Sequence, residues 1–191
     1  MKIMIVCSGN SGKVATFITE QAESIRLHGF EIKFFLIYGK GIWGYYKNLK
    51  SLKKELKIQG IQLIHAHYGL SGLLANLQRK IPVITTFHGS DINDKRVRFL
   101  SKLAMRLSVY NIFISNNLAK LAQARKKFAV ISCGVDLEAF FPLAKSDSRR
   151  KLNFDLDEKI ALFSGSFNNK IKNSALAFDA IAILGGNIRL I

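Results

Sequence analysis

The chain has 191 residues, 49% of them hydrophobic, and 29 lysines and arginines against 13 aspartates and glutamates give it a formal net charge of +16. That length allows one complete domain and part of another, and no apolar run approaches the ~20 residues that cross a bilayer as a helix. The opening MKIMIVCSGN is too short in its apolar part for a secretory signal, and two cysteines, Cys7 and Cys133, make no disulfide framework and point to a reducing cytoplasm.

The charge predicts attraction to polyanions without choosing among nucleic acid, an anionic membrane surface and phosphorylated small molecules. A generally basic, solubilising surface explains it equally well. No helix-turn-helix, zinc-finger or RNP-type signature is present, so no specific nucleic-acid partner is expected.

Residues 2–7 (KIMIVC) predict a short buried strand and 8–13 (SGNSGK) a glycine-rich turn. Residues 14–28 place Val14, Phe17, Ile18, Ile25 and Leu27 on a helix, with Gly29 as its stop signal. Residues 31–38 (EIKFFLIY) predict a second strand, and strand–helix–strand implies a right-handed parallel crossover. A loop with Gly39, Gly41, Gly44 and the lone Trp43 leads to a predicted helix over 45–57. There Tyr45, Leu49, Leu52 and Leu56 share a face, and Lys47, Lys50, Lys53, Lys54 and Lys57 crowd the others.

The third strand is predicted at 61–65, a helix at 69–79, and a fourth strand at 83–87 between Pro82 and Gly89. Residues 94–108 read as a basic amphipathic helix, 109–114 as a strand, Ser115 as the N-cap of a helix to 124, and 128–132 as a strand. The polar stretch 143–157 (LAKSDSRRKLNFDLD) reads as a linker between a domain over 1–142 and another starting at 158. A strand at 159–163, a helix at 172–184 and a strand from 187 follow. One such βαβ unit cannot cover both faces of its own sheet. The expectation is therefore a Rossmann-like, doubly wound parallel α/β domain followed by the truncated start of a second, in a piece of a longer protein.

Polar groups just past the carboxyl end of a buried parallel strand sit where open α/β sheets bind ligands. His88, Gly89, Ser90 and Asp91 stand there after strand 83–87. His88 is the leading candidate, since an imidazole there can donate or accept hydrogen bonds near neutral pH; its alternative is to cap the next helix or bond a backbone carbonyl. Asp91 either binds an acceptor hydroxyl or orients the turn and caps that helix. His65 and His67, two apart on a strand, point the same way. A metal pair would need a nearby carboxylate or cysteine, which is lacking, so no metal is expected. His67, nearer the strand end, either touches an acceptor or is structural. In the first turn Gly9, Ser11 and Gly12 either present N–H groups to a phosphate or simply make the turn. A P-loop fails here, because the positions that need glycine and Ser/Thr hold Cys7 and Val14.

Four stretches together resemble the N-terminal part of a glycosyltransferase family 4 enzyme of GT-B architecture. SGNSG followed by a helix and HGFEI is similar to the family's glycine-rich opening. IHAHYG and TFHGSD resemble its successive strand ends. CGVDLEAFFP, the most specific, is similar to the segment closing the first domain, and FSGSFNNKIKNSALAFDAI to the one opening the second. The resemblance implies retaining transfer of a sugar from a nucleotide-sugar, with no other cofactor, to a cell-surface glycan or lipid-linked acceptor. It implies two Rossmann-like domains, the first holding mainly acceptor and the second mainly donor. It implies that His88 contacts the transferred sugar and that Lys172 neutralises the donor diphosphate. The family often has arginine shortly after the glycine where Ser166 follows Gly165 here, which either removes part of that clamp or shifts it to Lys170; the alternative is that Lys170 and Lys172 are solvated residues at a helix start. The family's E-x7-E segment would lie beyond Ile191, so these 191 residues alone are expected to lack catalysis. The lysines of 45–57 with Trp43, Tyr45 and Tyr46 suit an anionic membrane surface, and a non-catalytic module binding anionic lipid or a phosphorylated ligand is the competing reading.

Overall fold

The computed structural model of the chain describes residues 1–169 and 171–191. Its internal contacts separate into two units, Met1–Val135 and Asp136–Ile191.

The first unit is built on six parallel strands: β1 (Lys2–Ser8), β2 (Glu31–Ile37), β3 (Leu63–His67), β4 (Val83–Phe87), β5 (Tyr110–Phe113) and β6 (Phe128–Val130). Their order is β2-β1-β3-β4-β5-β6. The chain leaves β1 to one side for β2 and returns to the other side for β3, so the winding reverses between β1 and β3. Such a reversal opens a crevice at the carboxyl ends of the strands. Helices α1 (Thr16–Leu27), α2 (Gly41–Tyr46), α3 (Leu49–Gln59), α4 (Gly69–Asn76), α5 (Ser90–Asn93), α6 (Lys95–Leu107) and α7 (Asn116–Ala122) connect the strands.

Alternation along the central strand serves both faces of the sheet. Ile3, Ile5 and Cys7 pack with Ile18 and Ala22 of α1, and Met4 and Val6 pack with Leu52 and Leu56 of α3 and Leu74 of α4. A third cluster joins Phe87 and Phe113, stacked with ring centroids 5.0 Å apart, to Ile92, Leu118 and Ala122. Burial on both faces is why these strands read as apolar runs.

Several expected bounds move. Leu27 is 82% exposed, outside the buried stripe of α1. The glycine-rich stretch read as a loop contains α2. Asn48 ends it by donating its side-chain amide to the Gly44 carbonyl at 2.8 Å and the Tyr38 carbonyl at 2.9 Å, so Tyr45 belongs to α2 and not to α3. The third strand starts two residues later than expected because Gln62 is spent before it, its N–H and side-chain carbonyl both bonding the backbone of Lys2 at 3.0 Å. That shift brings His67 into the sheet, paired with Thr86.

In the second unit β7 (Lys159–Ala161) pairs in parallel with β8 (Ile188–Leu190) through the crossover helix α9 (Ser174–Leu184). The stretch read as a linker contains α8 (Lys145–Lys151), whose Arg149 donates to the Leu156 and Glu158 carbonyls at 2.7 Å. Among the described residues, no helix is long and apolar enough to cross a membrane.

Candidate active site

At the carboxyl rim three histidines stand in a row. His65 and His67 lie two apart on β3, so they share a face, and their ring centroids are 4.5 Å apart. His65 is buried with Nε2 2.8 Å from Thr86 Oγ1. His67 is 0% exposed, and its Nδ1 lies 3.0 Å from Nε2 of His88, in the turn after β4. The His88 ring stacks on His67 at 5.2 Å and packs against Phe17 of α1 at 4.7 Å and Tyr68 at 4.6 Å. Phe17 thus ties His88 to the same rim as the glycine-rich turn.

Burial fixes the charge state of this row. It pushes His65 down to about 4, with a contribution from His88, and His67 down to about 2, with contributions from His65 and His88. Burial alone pushes His88 down to about 4. All three are therefore neutral imidazoles at neutral pH. A neutral pair sharing one N···N contact has one proton between the two nitrogens. Were that proton on His88 Nε2, the His67 proton would sit on its own Nε2, which is buried with no hydrogen-bond partner. An orphaned buried N–H is rarer than an orphaned acceptor, so the hydrogen-bond network places the proton on His67 Nδ1. His88 accepts at Nε2 and carries its own proton at Nδ1.

Asp91 organises the turn. Its Oδ1 accepts from the N–H groups of Gly89 at 2.9 Å and His88 at 3.2 Å, and its Oδ2 from Gly69 N–H at 3.0 Å. Ser101 of α6 donates to the Asp91 carbonyl at 2.8 Å. Burial pushes the Asp91 carboxyl up, against these N–H bonds, which pull it down. With only 6% exposure, Asp91 spends both oxygens inside the fold. Gly89 at φ +118° makes the turn possible.

In the first turn, Gly9 donates to the Ile37 carbonyl at 2.8 Å, and a Cβ there would stand 2.7 Å from the Tyr38 ring. Asn10 and Gly39 bond reciprocally at 2.8 Å, which fastens the turn after β1 to the turn after β2. Ser11 and Gly12 are exposed, with the Ser11 hydroxyl donating to the Lys13 carbonyl at 2.8 Å and Gly12 at φ +77°. Ala15 gives α1 no side-chain cap. In the second unit, Lys172 is exposed in the turn before α9, its N–H donating to the Asn169 carbonyl at 2.9 Å. Lys170 lies outside the described residues.

The structure brings together His67, His88 and Asp91 from two strand tips, with the glycine-rich turn on the same rim. Sequence reasoning missed Tyr68 and Phe17 as walls of the imidazole and Thr86 as partner of His65. The usable signal was an aromatic residue directly after a strand-end histidine, in IHAHYG. Among the described residues no three His, Cys, Asp or Glu side chains gather to hold a metal ion.

Residues 2–139 match the family model described as Glycosyltransferase Family 4. The chain belongs to glycosyltransferase family 4. A curated relative, D-inositol 3-phosphate glycosyltransferase of Thermobispora bispora, is 28% identical over 123 residues, 54% of this family 4 chain and 29% of that protein. The match thus spans less than a third of the curated relative. The whole chain superposes on sucrose-phosphate synthase from Thermosynechococcus elongatus with a TM-score of 0.75 and 15% identity, covering 69% of it. It also superposes on Anabaena HepE, solved with UDP-glucose, with a TM-score of 0.67 and 16% identity, covering 100% of this chain and 59% of that one. At such identities the likeness is one of fold: a Rossmann-like parallel sheet of the GT-B architecture.

Proposed function

We propose that this family 4 protein takes part in retaining transfer of a sugar from a nucleotide-sugar to a glycan or lipid-linked acceptor, with His88 contacting the transferred sugar. The observation that carries the reading is the state of His88: neutral, half-buried at the switch-point rim, with Nε2 fixed by His67 and Nδ1–H left as a donor. Glycosyl transfer passes through an oxocarbenium-like state. A neutral imidazole can hydrogen-bond a sugar hydroxyl there without the repulsion that an imidazolium would bring. In this reading the turn of Gly9, Ser11 and Gly12 lies on the donor side and the Ser11 N–H and hydroxyl meet the donor, since the Gly9 and Gly12 N–H groups are already bonded to the Ile37 and Gly9 carbonyls. Lys172 neutralises the diphosphate, a role shared with Lys170 by the family resemblance. His67 and Asp91 serve the acceptor side by holding His88 and its turn.

The test is a titration of UDP-glucose and of simple glycosides into the chain, followed at the histidine ring signals by NMR. Saturable movement of the His88 ring, with affinity lowered about tenfold in His88→Ala, is expected for loss of one or two hydrogen bonds. Ligand-induced shifts that leave His88 unmoved would sink the assignment.

A membrane-side partner is supported by a different surface. Trp43 is 77% exposed and sits edge-on to Tyr46 at 6.4 Å in α2, and the next helix, α3, exposes Lys50, Lys53, Lys54 and Lys57. Such a face suits an anionic interface. Flotation should enrich the protein on vesicles containing phosphatidylglycerol; equal recovery on neutral vesicles removes this partner.

A further inference from the structure

The other end of the sheet carries a second concentration of chemistry. A cavity of about 610 Å³ opens at the amino ends of β5 and β6, within the size range of small-ligand sites. Its wall includes Lys102 and Arg106 of α6 and Arg125, Lys126 and Lys127 from the turn between α7 and β6. The sequence has no aspartate or glutamate between Asp94 and Asp136, so this whole stretch supplies no carboxylate to neutralise the rim. The carboxyl ends of α6 and α7 point here, each worth about half a negative charge, which gives Arg106 an ordinary role in the last turn of α6. Five full cations outweigh those two partial charges, and Arg125, Lys126 and Lys127 stand past the end of α7.

Two polar groups in the wall add direction to the charge. Lys102 Nζ donates to Gln123 Oε1 at 2.7 Å, which holds one ammonium at the cavity. Asn111 is buried, donates through Nδ2 to the Met105 carbonyl at 3.1 Å, and keeps Oδ1 buried without a protein partner. Asn111 closes part of the cavity floor, and the surrounding cations suit an oxyanion.

We propose that this cavity binds a phosphate-bearing small molecule, with its oxyanion on Arg125, Lys126 and Lys127. The site stands at the opposite ends of the parallel strands from His88 and is independent of it. A concave recess favours a compact, multiply charged anion over a duplex or a flat bilayer, which need an extended surface.

Inorganic pyrophosphate, titrated into the intact chain at physiological ionic strength, is the probe. We expect saturable binding by calorimetry, with amide shifts centred on Asn111, Gln123 and Arg125 that are distinct from any at Lys172 or the glycine-rich turn. The exposed pair Arg125→Glu/Lys126→Glu should weaken it at least about tenfold, while Lys53→Glu/Lys54→Glu, the same charge change on α3, should alter it less than about twofold. Equal weakening by the two pairs would reduce the effect to general attraction by a basic chain and overturn the site. Absence of saturable binding would overturn it as well. So would binding to duplex DNA or phosphatidylglycerol vesicles that needs Arg125 and Lys126 while pyrophosphate fails to bind. Because His88→Ala should leave pyrophosphate affinity unchanged, failure here is separable from failure of the sugar-transfer reading.

Discussion

One nitrogen of His88 is held by His67 and the other is free to meet a ligand, and that asymmetry has a spectroscopic consequence. With the shared proton on His67 Nδ1, His67 Nε2 is a bare lone pair and His88 is protonated at Nδ1. Long-range nitrogen–proton spectra should show that tautomer pair at pH 7, and the inverse pattern would reverse the assignment. His67→Asn keeps an amide where Nδ1 stood and should preserve the His88 tautomer, which His67→Leu should release. The same row makes stability depend on pH. Histidine pKa values depressed from 6.5 mean that the unfolded chain binds protons that the fold excludes, so stability is full above pH 6.5 and falls as pH drops through about 4. For buried His65 the shift corresponds to roughly 3 kcal/mol. Asp91, pushed up by burial, acts in the opposite sense at the acid end. Denaturant midpoints between pH 7 and 4.5 should fall, and His65→Asn should remove about one proton from the slope; a flat profile would show that these imidazoles are solvated. In the sequence, His88 and Asp91 were visible as polar residues ending an apolar run. The His67–His88 bond was not, because it depends on a strand register that Gln62 sets from outside the strand.

At the scale of elements, the rim is held by close approach of backbones. A Cβ on Gly69 would meet Ser101 Oγ at 2.0 Å and Ser101 Cα at 2.8 Å, and one on Gly72 would meet the Thr85 side chain at 2.6 Å. Helix α4 is thereby wedged between α6 and β4. Gly69→Ala should cost at least about 3 kcal/mol, and Ser101→Gly should restore only part of it, because the backbone contact persists. Chemical denaturation of the two variants checks this; a Gly69→Ala chain of unchanged stability would mean that α4 and α6 are not in this contact. Asp91→Ala removes three N–H bonds, two within its own turn and one to Gly69 across the rim, and should cost about 3 kcal/mol, with Asp91→Asn intermediate since one amide face opposes Gly69 N–H. Strand β4 was legible to the residue, bounded by Pro82 and Gly89. Helix α2 was not, because Gly39, Gly41 and Gly44 so close together are the mark of a loop and the turn is closed by a side chain, Asn48. Helix α8 was hidden because its sequence, KSDSRRK, holds no apolar residue and so no apolar periodicity to read.

For the molecule as a whole, the family signature was legible because it combines strand-end polar residues with the helices that follow them. Energetics were less so, since hydrophobic content does not say which apolar residues find partners. Unit Met1–Val135 holds all three buried clusters, whereas no described residue of unit Asp136–Ile191 is fully buried and Leu162, Phe167, Ile171, Phe178 and Ile183 are exposed. Helix α9 is apolar around its whole circumference with none of its residues buried, and the sheet beside it has two strands. Two strands and two helices, with no residue fully buried among those described, bury too little apolar surface to offset the chain entropy of ordering them. The second unit should therefore open locally, at a free energy well below that of global unfolding. Native-state hydrogen exchange tests this at named amides. Ile188 and Ile191, whose N–H groups donate to Gly186 and Ala161, should exchange within minutes, while the amides of Val6 and Ile64 in the central strands should exchange only on global unfolding and slow with every condition that stabilises the first unit. If the amides of β7 and β8 were protected as long as those of β1 and β3, the second unit would be drawing stability from a source other than its own buried surface.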